Sequence, residues 1–271
     1  MKIFDLQDRF KRYFLYEKGN RPKSYSSVVK IIQLLVEKTD IFEVEQFTTE
    51  IIREFLLDQR ELRQWSPKTF RNYRQDLKSF FNWCVKEKFF KENPVDAIEK
   101  PKLPKALPRC VSREEVQKIL YHCEWYTWRY RLERIRNTAI LATYILTGLR
   151  RQELLNLEVF DVNLVSKEIC VRDGKNRKDR LVPIHPILMP KLETYFEERK
   201  KTKRPSRWFF TGVNSDKQLT AKDICRICKK ISLDSGIYFT PHMLRHTFGR
   251  LSVEADLNLY KVKEIMGFLK R

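Results

Sequence analysis

The sequence predicts a mainly α-helical protein with two helical domains and one small β-hairpin. Apolar residues recur at helical spacing along most of the 271 residues, four prolines interrupt this pattern at residues 93–109, and residues 167–185 show the alternation of a hairpin. A chain of this length can form one large domain or two ordinary ones, and a hydrophobic content of 42% is enough for a core in each.

The first domain is predicted to be a four-helix unit over residues 1–92. Its clearest helix begins at Ser66 and Pro67, an N-cap residue followed by proline at the first helical position. Apolar side chains form one stripe of this helix, as expected for a core-facing surface. The basic residues on its other face are Lys68, Arg71 and Lys78. This basic face is either a contact to a phosphate backbone, which the charge of the whole chain favours, or an ordinary solvated surface.

A basic, proline-rich segment at residues 93–110 is predicted to be an extended linker, because its prolines exclude a continuous helix. The second domain covers residues 111–271 and begins with Ser112 and Glu115, which have the spacing of a capping box. Most of this domain is predicted to be helical. Its exception is the hairpin at residues 167–185. The basic residues at or near the hairpin tip are Lys175, Arg177, Lys178 and Arg180. They form either a solvated turn or a hairpin tip that contacts a groove of nucleic acid.

The charge balance favours a polyanionic partner. Lysine and arginine number 55 against 35 acidic residues, which gives a net charge of +20. Such an excess attracts nucleic acid over long distances, and the release of counterions favours binding. The alternative is a basic but passive surface, since the charge is spread along the chain. Double-stranded DNA is the partner that we predict.

Composition also excludes several classes of protein. The longest apolar stretch, at residues 139–149, is too short to span a bilayer, and the first ten residues include acids where a signal peptide needs an apolar run. We therefore expect a cytoplasmic protein that binds no membrane. The six cysteines lack the spacing of a disulfide framework. Cys225 and Cys228 form one isolated CxxC, for which helix packing is favoured over a metal or redox role.

The stretch TPHMLRHTFGR, residues 240–250, contains two of the four histidines of the chain. Its threonine and proline predict the start of a helix. His242, Arg245 and His246 then share one face near the helix N-terminus, where free N–H groups and the helix dipole favour an anion such as phosphate. An equally supported alternative is that His246 packs in the core and His242 caps a turn.

A second arginine favours the phosphate interpretation. Arg150 lies at a predicted break between two helices, just after Gly148, and Glu153 follows one turn later. Two arginines, Arg150 and Arg245, could clamp one phosphate diester and neutralise the charge of its transition state without a metal. A lysine of the hairpin could then protonate the leaving oxygen. The sequence contains no cluster of carboxylates typical of two-metal chemistry, so we expect neither a metal nor another cofactor.

The order and spacing of these motifs resemble the tyrosine recombinase family, also called phage integrases, and most closely its Xer-like members. The resemblance rests on TGLRRQEL, DGKNRKDRLVP and HMLRHTFG and covers nearly the whole chain. It implies a SAM-like helical core-binding domain followed by a mostly helical catalytic domain with a small sheet. It also implies a C-shaped clamp around duplex DNA and self-association into dimers or tetramers on that DNA.

The resemblance also implies the roles of individual residues. Those that it assigns to catalysis are Arg150, Glu153, Lys175, His242 and Arg245. The arginines would hold the scissile phosphate with Glu153 as the supporting acid, and His242 would assist proton transfer to and from the nucleophile. Lys175 would be the general acid for the 5′ oxygen, with Lys178 as the alternative. His246 corresponds to a second histidine of the motif that supports the site.

The sequence departs from the family pattern at two places. Phe268 stands where the family usually has histidine or tryptophan, and phenylalanine cannot donate a hydrogen bond to the phosphate. The nucleophilic tyrosine is expected about two helical turns later, past Arg271, whereas Tyr260 precedes the glycine of the motif. We therefore expect this chain to be inactive without the missing tyrosine.

Two functions are compatible with this pattern. The first is a site-specific recombinase that breaks and rejoins DNA through a 3′-phosphotyrosyl intermediate, seen here as a truncated chain. The second is an inactive, sequence-specific DNA-binding protein of the same fold, which regulates or competes at recombination sites. Phe268 favours the second function, whereas the intact set of arginines, lysine and histidine favours the first.

Overall fold

The computed structural model describes residues 1–104, 107–172 and 179–268, and the chain divides into two compact units, Met1–Ala106 and Leu107–Arg271. Each unit has an apolar core of its own. The predicted mainly α-helical class with one small sheet is confirmed. Within the described residues, the helices are too short or too polar to cross a membrane.

The first unit contains the four predicted helices, together with two short turns. Its elements are α1 (Gln7–Arg12), a π-helical turn (Tyr13–Glu17), α2 (Pro22–Thr39), a 3-10 turn (Val44–Gln46), α3 (Thr49–Leu62) and α4 (Pro67–Lys86). As predicted, Ser66 caps α4, since its hydroxyl accepts from the Thr69 N–H at 3.2 Å. Aromatic rings fill the core, where Phe10 packs against Phe80 and Trp83 at centroid distances of 5.2 and 5.4 Å.

A buried arginine of α4 organises the start of the proline-rich segment. Arg74 is 3% exposed, and its guanidinium donates to the carbonyl oxygens of Ile98 at 2.6 Å and Val95 at 2.8 Å. The side chains of Val95 and Ile98 are themselves buried in the core of the first unit. The first part of the segment that we predicted as a linker therefore packs against α4, because the arginine satisfies carbonyls that no helix can satisfy there.

The second unit is built around one buried helix, α6. The helices of this unit are α5 (Arg113–Trp125), α6 (Arg131–Thr147), α7 (Arg151–Leu155), a 3-10 turn (Val159–Asp161), α8 (Met189–Lys201), α9 (Ala221–Ser235), α10 (Pro241–Glu254) and α11 (Leu259–Ile265). Helix α6 packs against α5, α8 and α10, and from Arg136 to Thr147 it is buried on nearly all sides. The predicted capping box at the start of α5 is present, with the Ser112 N–H donating to Glu115 Oε2 at 2.6 Å.

The second unit also contains a three-stranded antiparallel sheet in the order β1-β2-β3, which contributes buried side chains to its core. Its strands are β1 (Val162–Asn163), β2 (Glu168–Val171) and β3 (Arg180–Pro183). Strands β2 and β3 form the predicted hairpin, with Val171 opposite Arg180. Strand β1 has only two residues, too few for an alternating pattern to predict it. Residues 173–178, and with them the predicted site residues Lys175, Arg177 and Lys178, lie outside the described residues.

Candidate active site

The site begins where α6 ends at Gly148. This glycine has φ +61°, and a Cβ atom there would lie 2.3 Å from Cδ1 of Phe248 on α10. Only glycine allows both the left-handed turn and the close approach of that ring. The turn places Arg150 at the N-cap of α7, and it leaves the Gly148 carbonyl free to accept from Arg245 Nη1. The predicted break between the two helices is therefore the point where both arginines meet.

Glu153 fixes the orientation of Arg150. The Arg150 N–H donates to Glu153 Oε2 at 2.8 Å, and Arg150 Nη1 donates to Oε1 at 2.6 Å. Arg180 approaches the same carboxylate, with Nη1 at 3.1 Å from Oε1 and Nη2 at 2.7 Å from Oε2. Burial opposes ionisation of Glu153, but the bonds from Arg180 and the Arg150 N–H outweigh it and lower the pKa to about 2. The carboxylate is thus charged at neutral pH.

Arg245 is the most deeply buried of the three arginines, at 2% exposure. It projects from α10, where its Nη1 donates to the Gly148 carbonyl and its Nη2 to the Met266 carbonyl at 2.5 Å. Burial, followed by the positive charge of Arg150, lowers the pKa of Arg245 to about 10. Its guanidinium is therefore still charged at neutral pH, and carbonyl groups on two sides hold it in place.

The two predicted histidines lie one turn apart on α10. Their rings meet edge to face, with centroids 4.5 Å apart and planes at 78°. His242 is exposed at the helix N-terminus, where the Met243 N–H donates to the capping Thr240 hydroxyl at 3.2 Å. His246 is half-buried, and burial followed by the nearby His242 and Arg245 lowers its pKa. His246 is thus neutral at neutral pH, and His242 is the one that can reach a ligand from solvent.

Phe268 lies against both arginines. Its ring centroid is 5.0 Å from Arg245 Cζ and 5.8 Å from Arg150 Cζ, within the range of cation–π attraction. The ring is 56% exposed. The residue before it, Gly267, accepts a hydrogen bond from Arg150 Nη2 at 3.0 Å. An aromatic ring, rather than a hydrogen-bond donor, therefore lies beside these arginines. We refer to the site formed by Arg150, Glu153, Arg180, Arg245 and Phe268 as the cleft.

The structure brings together most of the predicted catalytic residues that it describes. Arg150, Glu153, Arg245 and Phe268 form one connected cluster, and His242 lies one turn before Arg245. Arg180 belongs to this cluster, although we predicted it among the basic residues of the hairpin as a DNA contact. Its guanidinium is occupied by Glu153. A sequence signal for this role was its position at the start of a strand rather than in the turn.

The basic face of α4 belongs to the first unit. Lys68 is exposed, whereas Arg71 donates through Nε to the Pro101 carbonyl at 2.9 Å, and Lys78 forms an ion pair with Asp96. Two of the three predicted DNA contacts therefore already have intramolecular partners. Their role at a phosphate backbone stays a prediction, for which Lys68 is the most accessible residue.

The second unit is thus mainly helical with a small antiparallel sheet, and it holds Arg150 and Arg245 in fixed positions through Glu153 and main-chain carbonyls. Fixed guanidinium groups of this kind can bind an anion such as phosphate. The sequence model of the phage integrase family matches residues 109–270, which is more than half of the chain. The chain belongs to the phage integrase family, as the resemblance in its motifs predicted.

Two curated relatives extend this result. The chain is 32% identical over 193 residues to tyrosine recombinase XerA of Pyrococcus horikoshii, a match that covers 71% of this chain and 62% of the relative, less than two thirds of its length. It is 30% identical over 272 residues to tyrosine recombinase XerD of Listeria innocua, with 97% of this chain and 90% of the relative covered.

The fold also matches a solved structure, the site-specific recombinase XerH bound to a palindromic difH substrate in a post-cleavage complex. The TM-score is 0.77 at 20% identity, over 97% of this chain and 78% of that one. At this level of identity the likeness establishes the fold.

Proposed function

We propose that this chain is a site-specific DNA recombinase of the tyrosine recombinase type, which binds duplex DNA and activates one of its phosphate diesters. The observation that carries the proposal is the convergence of Arg150 and Arg245 on one cleft, with each guanidinium fixed by Glu153 or by main-chain carbonyls. Fixed donors of this kind stabilise charge that develops on the nonbridging oxygens of a phosphate in the transition state.

The chemistry of such a site is a transfer of the phosphate between two oxygens. A tyrosine hydroxyl attacks the phosphorus and loses its proton to His242, while the bond from phosphorus to the 5′ oxygen breaks. Lys175, with Lys178 as the alternative, donates a proton to that 5′ oxygen. The product is a 3′-phosphotyrosyl ester, from which the reverse reaction rejoins DNA without a cofactor. Tyr260 is exposed on α11 and precedes Gly267, so we do not assign it as the nucleophile.

We further propose that the protein assembles as dimers or tetramers on DNA in the cytoplasm. The net charge of +20 supports a polyanionic partner, and the related XerH structure contains a DNA substrate. The exposed Lys68 of α4 and the basic hairpin residues Arg177 and Lys178 are the contacts that we expect to follow the phosphate backbone. Binding should therefore weaken strongly with salt.

One observation favours a second function, that of an inactive DNA-binding protein of this fold. Phe268 covers both guanidinium groups at the place where a hydrogen-bond donor would reach the phosphate. A ring in this position retains the arginines as an anion site but removes one donor to the developing charge. Such a protein would bind recombination sites and compete there without cleaving them.

A nicked suicide DNA carrying a recombination site tests the two functions. The chain is incubated with this DNA, alone and when extended by a tyrosine-bearing segment, and covalent product is resolved on a denaturing gel. We expect the extended chain alone to become attached, and Arg150→Ala or Arg245→Ala to abolish attachment while reducing DNA affinity only modestly. Normal attachment in either variant would contradict the proposed clamp.

Phe268→Trp in the extended chain separates recombinase from binding protein. Tryptophan restores an N–H donor while keeping an aromatic ring, so we expect faster covalent attachment if the cleft is competent. The matched control is Phe160→Trp, because Phe160 also packs on an arginine, 4.2 Å from Arg172 Cζ, at 60% exposure. If all of these proteins bind the DNA and none becomes attached, the binding-protein function is the correct one.

A further inference from the structure

Arg180 lies at the start of β3 with a side chain that is 10% exposed. Its guanidinium makes a two-pronged contact to Glu153, at 3.1 and 2.7 Å, and its Nε donates to the Ile265 carbonyl at 2.7 Å. Three donors of one side chain are therefore used on two other elements, α7 and the end of α11. Arg180 therefore links β3 to α7 and to the end of α11.

The end of α11 is held by all three arginines of the cleft. Three consecutive carbonyls there accept from three different guanidiniums. The pairs are the Ile265 carbonyl with Arg180 Nε, the Met266 carbonyl with Arg245 Nη2 and the Gly267 carbonyl with Arg150 Nη2. The position of this turn and the positions of the phosphate-binding arginines are thus set by the same bonds.

Gly267 is required for this packing. Its φ is +66°, and a Cβ atom would lie 3.1 Å from Arg150 Nη1 and 3.3 Å from Arg180 Cζ. A side chain at this position would push on both guanidiniums, besides straining the backbone. The absence of a side chain at Gly267 therefore allows both Arg150 and Arg180 to pack against this turn.

We propose that Arg180 is a positioning residue for the reaction: it orients Glu153, and through Glu153 the phosphate-binding Arg150, while it fixes the end of α11 against β3. This proposal rests on the proposed function, since it concerns the same site. Arg150 Nη1 and Arg180 Nη1 share the oxygen Oε1 of Glu153, so a shift of the carboxylate moves Arg150. Lysine cannot replace Arg180, because a single ammonium group cannot make the fork to Glu153 and the Ile265 bond together.

The alternative is that Arg180 forms a structural ion pair with no influence on the reaction. The chain offers a control for that role in a second pair of an arginine with a buried carboxylate, although this arginine is 52% exposed. Arg172 follows β2 and pairs through Nε with Asp161 at 2.6 Å, and Asp161 is 3% exposed. Arg172→Lys therefore perturbs an arginine pair with a buried carboxylate of the same sheet region, whereas Arg180→Lys perturbs the pair at the cleft.

The experiment compares Arg180→Lys, Arg180→Gln and Arg172→Lys with the parent, each extended by the tyrosine-bearing segment. DNA affinity is measured by fluorescence anisotropy. The rate of covalent attachment is measured on nicked DNA, and the arginine Nε–H signals are recorded by ¹⁵N NMR. We expect both Arg180 variants to lose at least about tenfold in attachment rate with a Kd within about threefold of the parent. We also expect the Nε–H signals of Arg150 and Arg245 to shift in both Arg180 variants. Arg172→Lys should match the parent in attachment rate, in Kd and in these signals.

Two results would overturn the proposal. One is an attachment rate for Arg180→Lys equal to that of Arg172→Lys, and the other is unchanged NMR signals from Arg150 and Arg245 in both Arg180 variants. If the extended parent binds DNA and attaches to none, the proposed function fails. The NMR signals then still decide whether Arg180 orients Arg150 and fixes the turn that contacts Arg245, so failure of the function and failure of the positioning role are distinguishable.

Discussion

Replacing Glu153 with glutamine tests the charge balance of the cleft. Glutamine keeps the size of the side chain but leaves Arg150 and Arg180 without their shared negative partner. Folding lowers the pKa of Glu153 to about 2 from its ordinary 4.5, so ionised Glu153 stabilises the folded state. This difference corresponds to about 3 kcal/mol at pH 7, which is the loss that we expect in Glu153→Gln.

The difference in the free energy of unfolding between the parent and Glu153→Gln should depend on pH. A carboxyl group with a lowered folded pKa stabilises the protein above its unfolded pKa, and that stability is lost as the pH falls towards the folded pKa. The gap between parent and Glu153→Gln should therefore shrink at pH 3 to about half of its value at pH 7. Breaking one side of a buried ion pair has an effect of the same order.

Urea unfolding at both pH values measures this gap. A chain of two units can show two transitions, and Glu153 should affect only the one that reports on Leu107–Arg271. Glu197→Gln, an exposed carboxylate of α8 in the same unit, is the control and should leave both midpoints unchanged. A gap below about 1 kcal/mol at pH 7, or one that stays constant down to pH 3, would refute the proposed role of the carboxylate.

Three further predictions concern the turn, the basic face and the anion site. Gly148→Ala should destabilise its unit by at least about 1 kcal/mol more than Gly236→Ala, measured by urea midpoint, because both have positive φ but only the Gly148 Cβ meets Phe248. Lys68→Ala should lower the slope of log Kd for DNA against log salt by about 1, and an unchanged slope would mark this face as solvated. Inorganic sulfate should raise the melting temperature of the parent and leave Arg245→Met unaffected, since a bound anion stabilises only a folded site; equal shifts would place the anion elsewhere.

The sequence predicted the features that depend on neighbouring residues. The caps at Ser66 and Thr240 and the capping box from Ser112 to Glu115 each join residues three apart, so spacing alone reveals them. The hairpin followed from alternation, and the helices from apolar periodicity. The family motifs then marked Arg150 and Arg245 as a pair, although nothing in their local surroundings requires them to meet.

The missed features depend on distant contacts. The bond from Arg180 to Ile265 joins residues 85 apart, and the bond from Arg245 to Gly148 joins residues 97 apart. Strand β1 has only two residues, which is too short for an alternating pattern. The prolines predicted an extended segment, whereas Arg74 hydrogen-bonds to the start of this segment and holds it against α4. Local propensity cannot indicate which guanidinium will supply hydrogen bonds that the backbone lacks.

The arginines of the cleft carry more positive charge than their partners neutralise. Arg150 and Arg180 share the carboxylate of Glu153, whereas Arg245 contacts main-chain carbonyls, so these four groups carry a net charge of +2. Main-chain carbonyls compensate this charge only in part, and burial and mutual repulsion lower the pKa of Arg245. A phosphate diester carries one negative charge, whereas the pentacoordinate state formed by an attacking phenolate carries two. Under the function that we propose, the net positive charge of the cleft would favour this transition state over the bound DNA, which is the condition for accelerating the reaction rather than merely binding its substrate.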